Sequence, residues 1–466
     1  MERQSYSATA ETVSAPIVDQ LRAVLKGRVI APGERDYDKA RTVFYGGVDR
    51  HPLAVVRAAI ASDVSQVVLA AREAGLPLAV RSGGHSFAAH GVCDDGIVLD
   101  LSEMKGIELD VESRTAWAEA GLTAGEFSRK AAAHGLAVGF GDTGSVGIGG
   151  ITLGGGVGYL IRKYGLTIDA LLAAEVVTAD GQLLHVDAQS HPDLFWAIRG
   201  GGGNFGVVTR FRYRLQEVGT VIGGMLMLPA TPEIIASFIA EAEAAPEELS
   251  TIANVMPALP MPFVPAEYHG RTIIMALMCY AGEGEAGERA LAPFRALATP
   301  IVDMVRPIPY PQIYPPDDEG YHPVAAARSM FMDTVDAAIA ETIMEHLRGS
   351  SGQMAVAQLR VLGGAMARVP DEATAFAHRK RRIMVNLATL YGNPDEAPVH
   401  EAWVGKFEAA LRQSGTGVYV NFLGDEGAAR VRDAYPGATW DRLAAIKARY
   451  DPMNLFRINH NIPPAN

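Results

Sequence analysis

A loop with two adjacent glycines and a histidine is the first candidate for chemistry. It reads Arg81-Ser82-Gly83-Gly84-His85-Ser86 and follows Leu76–Val80, an apolar stretch that predicts a short strand. Two glycines let successive backbone N–H groups turn toward one anion, such as a pyrophosphate. On spacing alone two interpretations remain open: an anion-binding loop whose histidine faces the ligand, and an ordinary turn.

A second glycine-rich stretch extends from Gly141 to Gly158. It holds nine glycines, far above the density of 49 in 466 for the whole chain. Such density lets a backbone lie against a flat or charged ligand. The stretch does not fit a nicotinamide-type dinucleotide fingerprint, because no clear buried strand precedes Gly147-Ile148-Gly149 and no acidic residue follows at the required distance.

Composition excludes several classes of function. The 41 Lys and Arg against 53 Asp and Glu give a formal charge of −12 without a long basic tract, which argues against nucleic-acid and anionic-membrane partners. The densest basic run, residues 378–382, is expected to be a solvated face or the entry to a strand. Only Cys93 and Cys279 occur and the twelve histidines are scattered, so neither a disulfide framework nor a metal site is expected. No apolar run is long enough for a membrane span and no secretory signal is visible, so we expect a cytoplasmic protein.

The elements that must position these loops predict an α+β fold. Apolar residues at helical spacing over Asp63–Glu73 predict a helix, and short strands are expected at Gly96–Leu101 and 114–120. Ala174–Val186 predicts a hairpin that turns at Asp180-Gly181. A further run of four glycines, 200–203, leads into a strand at Phe205–Thr209.

From about residue 217 the amino-acid composition changes, because glycine becomes rarer and proline more frequent. Helices are expected at Ile234–Ala244 and Asp336–Arg348, among strands that include Ala355–Leu362. The composition of the C-terminal segment again predicts compact structure. A strand is predicted at Val418–Leu423 and a helix at Trp440–Arg449.

Four long motifs, taken in order, resemble the berberine-bridge-enzyme-like branch of the vanillyl-alcohol-oxidase flavoprotein family. They lie along most of the chain, which makes the resemblance very specific. The motifs are Arg81–Ser86, Val146–Gly150 with its continuation to Leu166, Asp193–Thr209, and Tyr450–Arg457 with Asn459-His460-Asn461.

The resemblance implies a two-part FAD-binding domain of the PCMH type, formed by residues 1–216 and completed by 418–466. A substrate domain, 217–417, would hold an antiparallel sheet covered by helices. The resemblance also implies FAD joined through its 8α carbon to His85, a bond that prevents loss of the cofactor and favours hydride abstraction from reluctant donors. Many relatives have a second bond from a cysteine where this chain has Thr143, so we predict a single covalent link.

The same resemblance assigns cofactor-binding and catalytic positions. The cofactor-binding set is Arg81, Ser82, Gly83, Gly84, His85, Ser86, Thr143, Val146, Gly147, Gly149, Gly150, Gly156, Gly206, Val207, Val208, Asn459 and Asn461. Val146 occupies the oxygen-gate position, where a small valine goes with oxidase behaviour, and Tyr419 matches the tyrosine that takes a substrate proton. Gln358 replaces a glutamate of some bacterial relatives and cannot act as a base, and His460 is expected to support the site from behind.

The function implied is oxidation of a small organic substrate at an alcohol, hemiacetal, phenolic or amine carbon, with O2 as acceptor and H2O2 as product. Two alternatives within the family are an oxygenating tailoring enzyme of secondary metabolism and a dehydrogenase with another acceptor. An alternative from another class is a flavin-binding sensor without catalysis, against which the intact His85 and Tyr419 motifs argue. A monomer or homodimer is expected.

Overall fold

The first segments of the chain build a small mixed sheet. The computed structural model describes residues 16–316, 318, 320–413 and 415–465. Strand Ile97–Asp100 pairs in parallel with Ala54–Arg57 on one side and Leu78–Arg81 on the other. Strand Arg28–Ile30 pairs antiparallel with Ala54–Arg57 at the edge of the sheet. In sheet order the strands of this described region are Arg28–Ile30, Ala54–Arg57, Ile97–Asp100 and Leu78–Arg81. The glycine-histidine loop leaves this sheet at Arg81.

An antiparallel sheet follows and packs against the first. Its strands, in sheet order over the described residues, are Ile107–Asp110, Thr115–Glu119, Val207–Arg214, Leu171–Val177 and Leu183–Asp187. The hairpin predicted around Asp180-Gly181 is confirmed by the pairing of the last two. Helix Ala61–Glu73 contributes Val64, Val67 and Val68 to the core between these sheets. A small ladder joins Leu136–Ala137 to Gln216–Glu217.

A large antiparallel sheet is built from residues 220–391. In the described chain its strands, in order, are Val302–Asp303, Thr220–Pro229, Thr272–Tyr280, Leu249–Pro257, Met354–Val361, Ile383–Tyr391 and Val324–Met332, with Arg306–Pro309 paired beside the second. One face is covered by four amphipathic helices: Pro232–Ala244, Gly284–Ala296, Ala337–Arg348 and Ala397–Leu411. Alternating burial along the strands gives the sheet a closed helical side and an opposite side that faces the rest of the molecule.

The remaining helical segments connect these layers. The helices are 16–24, Tyr37–Arg41, Ala124–Ala132, Ile148–Leu153, Ile161–Tyr164, Pro192–Ala197, Ala365–Arg368, Ala428–Ala434 and Ala438–Tyr450. Short 3₁₀ turns are at Thr167–Asp169, Ala266–Tyr268, Tyr310–Ile313, Asp371–Ala373, Pro394–Glu396 and Val420–Phe422. The C-terminal segment returns to the first core, where Leu443, Phe456 and Ile462 are buried. The α+β class with a helix-covered antiparallel sheet is confirmed.

The strand predicted at Val418–Leu423 is wrong. The segment forms a tight turn, in which the Phe422 N–H donates to the Tyr419 carbonyl at 2.9 Å. The turn is favoured because the side chains of Tyr419 and Asn421 both bond to the glycine-rich segment 151–157. The N-terminal residues inspected for a secretory signal lie outside the described residues.

The basic run 378–382 is the entry to strand Ile383–Tyr391, as predicted, and only part of it is solvated: Lys380 and Arg382 are exposed, whereas His378 and Arg379 are buried. Arg379 is fully buried, and its guanidinium donates to both Asp169 carboxylate oxygens at 2.7 and 2.8 Å. Burying a charge is costly unless it is paired and hydrogen-bonded. This pair therefore ties the segment before the strand to the turn after the glycine-rich stretch.

Candidate active site

A cavity of about 440 Å³ lies where the glycine-rich loops face the open side of the large sheet. Its walls combine the 81–87 loop, the 141–153 stretch, the 202–208 run and the C-terminal residues 456–460. Gln358, Arg360 and Asn386 of the large sheet close the remaining side. Segments far apart in sequence therefore meet around one space.

The two glycine loops touch through their backbones. A Cβ on Gly83 would lie 2.2 Å from the Gly147 nitrogen, and one on Gly147 would lie 2.1 Å from the Ser82 Oγ. The Ser82 hydroxyl donates to the Ala120 carbonyl at 2.5 Å and accepts from the Gly149 N–H at 3.4 Å. No side chain fits between the loops, so the glycines at 83 and 147 are required for this approach.

Arg81 supports the loop from behind. Its buried guanidinium donates to the Asp100 carboxylate at 2.8 Å and to the Ala40 and Thr42 carbonyls at 2.6 and 3.2 Å. Because these bonds occupy the charged end, Arg81 acts in this structure by anchoring the 82–86 loop to the neighbouring strand. Arg81 also lines the cavity with the part of the residue that these bonds leave free.

The imidazole ring of His85 is held by an aromatic ring stacked on its face. Phe44 stacks on it with 4.0 Å between ring centroids and 20° between planes. Burial lowers the pKa of His85 to about 4, and the Asp142 carboxylate opposes this change. Neither ring nitrogen has a hydrogen-bond partner among the described residues. At neutral pH, His85 is thus an uncharged imidazole with a free nitrogen lone pair in the cavity.

An ion pair lies on the cavity wall beside Thr143 and Val146. Arg360 is buried, bonds through Nη2 to Asp142 Oδ2, and donates through Nε to Gln358 Oε1 at 3.0 Å. The guanidinium lies over the Phe422 ring, 5.0 Å from its centroid. The Thr143 hydroxyl donates to the other Asp142 oxygen at 3.3 Å. The charge of Arg360 is therefore balanced inside the protein.

Tyr419 presents its phenol oxygen to three donors. The backbone N–H groups of Gly156 and Val157 reach it at 3.0 and 3.2 Å, and the Asn421 amide reaches it at 2.9 Å. Burial raises the pKa of Tyr419, while these hydrogen bonds and the charge of Arg360 lower it. Burial has the larger effect, so the pKa of Tyr419 lies above its usual value although the hydrogen bonds favour the ionised form.

Most of the predicted cofactor-binding residues line this one cavity. They are Arg81, Ser82, Gly83, Gly84, His85, Ser86, Thr143, Val146, Gly147, Gly149, Gly150, Val207, Val208, Gly206 and Asn459.

Gly156 and Asn461, the other two predicted cofactor-binding residues, are not among the residues that line this cavity. A Cβ on Gly156 would lie 1.9 Å from the Thr167 Oγ1, so this glycine serves packing and the bond to Tyr419. Asn461 lies just beyond the cavity-lining residues of the tail.

The cavity fits a flat dinucleotide. Gly150 has no atom within 4 Å of the position of a Cβ, so its backbone is open on that side. The Asn459 amide donates to the Gly203 and Phe456 carbonyls at 3.2 and 3.0 Å, and its buried Oδ1 has no partner among the described residues. An acceptor of this kind suits a ligand that carries ribityl or adenine N–H and O–H donors.

Several lining residues were not found from sequence. Phe44, Tyr45, Arg360 and Asn386 lie outside every motif and reach the cavity only through tertiary packing, and Asp142 lies within the Gly141–Gly158 stretch but has no pattern of its own. His460, expected to support the site, does line the cavity, and its ring meets that of His90 edge-on at 4.8 Å. Burial lowers the pKa of both, to about 4 and about 3 respectively, so this pair is uncharged at neutral pH.

Comparison with known proteins gives the family. A family model described as an FAD binding domain matches residues 52–187, and one described as berberine and berberine-like matches residues 418–463. The chain is 31% identical to an uncharacterized FAD-linked oxidoreductase of Bacillus subtilis, YvdP, over 95% of this chain and 99% of that protein. It is 29% identical to (R)-6-hydroxynicotine oxidase of Paenarthrobacter nicotinovorans over 94% of this chain and 97% of that protein.

A solved structure agrees with these matches. The crystal structure of 6-hydroxy-D-nicotine oxidase from Arthrobacter nicotinovorans superposes with a TM-score of 0.84 at 27% identity, covering 95% of this chain and 98% of that one. Both family models fall on segments that build the cavity, one at each end of the chain. The chain therefore belongs to the berberine-bridge-enzyme-like family of FAD-linked oxidoreductases, and its cofactor is FAD.

Proposed function

We propose that this enzyme is an oxidase that removes a hydride from an alcohol, hemiacetal, phenolic or amine carbon of a small substrate, with O2 as final acceptor and H2O2 as product. We also propose that FAD is bonded to the protein only through His85. The observation that carries both is the state of His85: uncharged, without a hydrogen-bond partner among the described residues, and stacked on Phe44 in a glycine-lined cavity.

The residues that would hold the cofactor divide by chemistry. The 82–86 loop, together with Gly147 and Gly150 at the start of helix Ile148–Leu153, would offer backbone N–H groups to phosphates, and Asn459 would offer its unpartnered oxygen. Val207 and Val208 offer apolar surface to the rings. FAD, once bound, supplies the two-electron acceptor for the hydride. Under this proposal the FAD domain comprises 1–216 and 418–466, and the substrate domain 217–417.

Tyr419 is proposed as the group that holds the substrate proton. A neutral phenol has two acceptor lone pairs and needs an acceptor for its own proton, whereas three N–H groups point at its oxygen. A phenolate can accept all three bonds, and hydrogen bonds to the charged form lower a pKa. Gln358 cannot take a proton and bonds instead to Arg360 and Asn254. Gln358 would therefore orient Arg360 and would not transfer a proton.

Val146 is proposed as the residue that admits O2. Its half-buried side chain lines the cavity, and its backbone is fixed because the Val146 carbonyl accepts from the Ala124 N–H at 2.8 Å. A fixed, small side chain leaves room beside the reacting face of the cofactor. Replacement with leucine should slow oxygen use while leaving anaerobic reduction by substrate unchanged.

The same proposal covers partners and location. Within the described residues every helix is too short or too polar to cross a lipid bilayer. Both cysteines are free and buried, which fits a reducing compartment, and we propose a cytoplasmic enzyme that acts as a monomer or homodimer. No group of three metal-ligating side chains is present in the described part of the chain.

The decisive experiment examines the purified yellow protein in two steps. Peptide mapping by mass spectrometry should place flavin on the His85 peptide alone, and His85→Asn should bind FAD without a covalent bond. Anaerobic addition of a donor found by an H2O2-coupled screen should bleach the flavin, and air should restore its colour rapidly. Flavin on another peptide would overturn the single linkage, and slow recolouring would make the enzyme a dehydrogenase.

The same preparation tests the base. Tyr419→Phe should lower the rate of anaerobic bleaching by about 10² to 10⁴, the usual contribution of a positioned base, while Phe376→Leu, which alters a neighbouring ring 6.1 Å from Tyr419, should have a much smaller effect. An unchanged rate in Tyr419→Phe would exclude Tyr419 as the base. Labelled oxygen from O2 in the organic product would make the enzyme an oxygenase, and a flavin that no donor reduces would indicate a sensor.

A further inference from the structure

Two adjacent strands of the large sheet are open on the side that faces the cavity. On strand Met354–Val361 the half-buried positions are Met354, Val356 and Gln358. On strand Ile383–Tyr391 they are Asn386, Ala388 and Leu390, which pair across the ladder with the first three. The intervening residues are buried under the helices. We name these six residues the sheet trough.

The strands on both sides give the trough its walls. Asn254 lies beside Gln358 in the register and is only 5% exposed, and the next residue on that face, Met256, is 3% exposed. On the other side Ser329 and Ala327 pair with Asn386 and Ala388 and are 0% and 1% exposed. Beside Gln358, Asn386 and Ala388 the open surface is therefore two strands wide and runs along the strands, and beside Leu390 it extends onto half-buried Ala325.

One end of the trough is the cavity itself. Gln358 and Asn386 line the cavity together with Arg360, which lies two residues after Gln358 on the same face of the strand. The Arg360 charge is balanced by Asp142, and Gln358 is bonded on both sides of its amide. The Asn386 amide has no hydrogen-bond partner among the described residues. This end thus offers the neutral Asn386 amide and one unpartnered N–H of Arg360, whose charge is balanced by Asp142.

The other end of the trough is apolar. Val356 and Met354 pack on a cluster that contains Met256 and Val264. Val264 belongs to the proline-rich connection 258–271 between two strands of the sheet, whose Leu259 and Met261 are also partly buried on this cluster. Ala388 and Leu390 continue the apolar surface on the neighbouring strand. The trough therefore changes from polar at Gln358 and Asn386 to apolar at Met354 and Leu390, over three cross-strand residue pairs.

We propose that the trough binds the substrate, and that the substrate has a neutral polar head at Gln358 and Asn386 and an unbranched apolar extension over Val356, Ala388, Met354 and Leu390. This inference rests on the proposed function, because the head must reach the cofactor. Four residues of strand separate Met354 from Gln358, so the extension is about 13 Å long. Carboxylates are disfavoured at the head, because no unpaired cation faces it among the described residues, and oligosaccharides are disfavoured at the apolar end.

Alkylphenols test this inference without knowledge of the natural substrate. Phenol, 4-ethylphenol, 4-butylphenol and 4-hexylphenol are titrated into the yellow holoenzyme without oxygen, and the initial change in the flavin spectrum gives each Kd before any bleaching. A fully buried methylene would tighten binding about fourfold, and one that lies in a half-open trough about twofold. From phenol to hexylphenol we expect Kd to fall at least tenfold, and xylobiose to bind more weakly than hexylphenol.

A substitution that fills the trough distinguishes specific binding of the alkyl chain from non-specific hydrophobic binding. Ala388→Leu should abolish the dependence on chain length and leave the Kd of phenol within about twofold, because the head lies beyond the substitution. Ala338→Leu, on an exposed helix position, is the matched control and should keep the dependence. If Ala388→Leu does not fold, Val356→Thr keeps the side-chain shape and should weaken hexylphenol more than phenol.

A Kd that does not change with chain length, tighter binding of xylobiose, or an unchanged dependence in Ala388→Leu would each overturn the proposed trough. Failure of the proposed function has a different outcome. In that case no donor would bleach the flavin, whatever the alkylphenols do.

Discussion

Phe44 stacks on His85 with ring centroids 4.0 Å apart, and the Phe44 ring also meets that of Tyr321 edge-on at 6.3 Å. Tyr321 comes from the segment just before a strand of the large sheet, and the neighbouring His322 ring bonds to the Val43 and Phe44 carbonyls at 3.1 Å. The orientation of His85 is therefore set by a ring that residues 321–322 hold in place.

Phe44→Leu should reduce the fraction of enzyme that carries covalent flavin. Leucine keeps apolar volume but loses the flat contact that fixes the imidazole plane, and bond formation requires the ring nitrogen to be aligned. We expect at least a threefold smaller fraction after a fixed incubation with FAD, measured as flavin that stays with acid-precipitated protein. Phe87→Leu is the control, because Phe87 lines the same cavity but meets the Tyr45 ring edge-on and makes no ring contact with His85. Equal fractions in both variants would show that the stacking is incidental.

Lys447→Met should destabilise the protein by about 3–5 kcal/mol, the usual cost of breaking a buried pair by removing one partner. Lys447 and Asp451 are both fully buried, and the ammonium donates to the Asp451 carboxylate at 2.6 Å and to the Asn204 and Phe456 carbonyls. Burial lowers the pKa of Lys447, and Asp451 opposes this. Urea unfolding of the holoenzyme measures the loss.

Arg449→Met on the same helix is the control for Lys447→Met. Its pair with Asp193 is exposed, so a change within about 1 kcal/mol is expected. A small effect at position 447 would mean that the C-terminal segment is not held by this ammonium.

Gly156→Ala should lower both stability and activity. Gly156 has φ +82°, and a Cβ there would lie 1.9 Å from Thr167 Oγ1 and 2.3 Å from its Cβ. The backbone must shift to relieve the clash, which moves the N–H that bonds Tyr419. Gly135→Ala, also at positive φ but with no atom near its Cβ position, separates backbone strain from the clash. If the two variants lose equal activity, the bond to Tyr419 is not what Gly156 supplies.

Local pattern predicted the parts of this site that depend on backbone. The loop at 82–86 and the run at 146–150 are readable because only glycine permits two backbones to meet as Gly83 and Gly147 do. The strand predicted at Val418–Leu423 failed because Tyr419 and Asn421 bond to a segment far away in the sequence. Tertiary bonds overrode an apolar pattern that is otherwise typical of a strand.

Buried ion pairs are a second feature that could not be predicted from local sequence. Arg379 lies in a basic run that looks solvated, and its partner Asp169 is 210 residues away. The Asp142–Arg360 pair spans a similar separation of 218 residues. No local spacing predicts such pairings, although Asp142 and Arg360 both line the cavity.

His378→Gln should weaken the pH dependence of stability in acid. Burial, together with the charge of Arg381, lowers the pKa of His378 from 6.5 to about 4, while bonds to backbone carbonyls and the charge of Asp371 oppose the shift. Between about pH 6.5 and about pH 4 the unfolded chain therefore holds a proton on this residue that the folded chain does not. The free energy of unfolding must fall as pH falls through that window. Glutamine can keep the bond that His378 Nε2 makes to the Asp433 carbonyl at 3.1 Å, yet it cannot titrate.

The slope of unfolding free energy against pH, from urea titrations at half-unit steps, should decrease by up to about 1.4 kcal/mol per pH unit in that window, because one proton no longer differs between the two states. Phe331→Leu is the matched control: Phe331 packs on the His378 ring at 5.0 Å, so this variant loses packing but retains the imidazole. It should lower stability at every pH and keep most of the slope. A slope that is the same in His378→Gln as in the parent protein would mean that His378 is protonated in the folded protein as readily as in the unfolded chain.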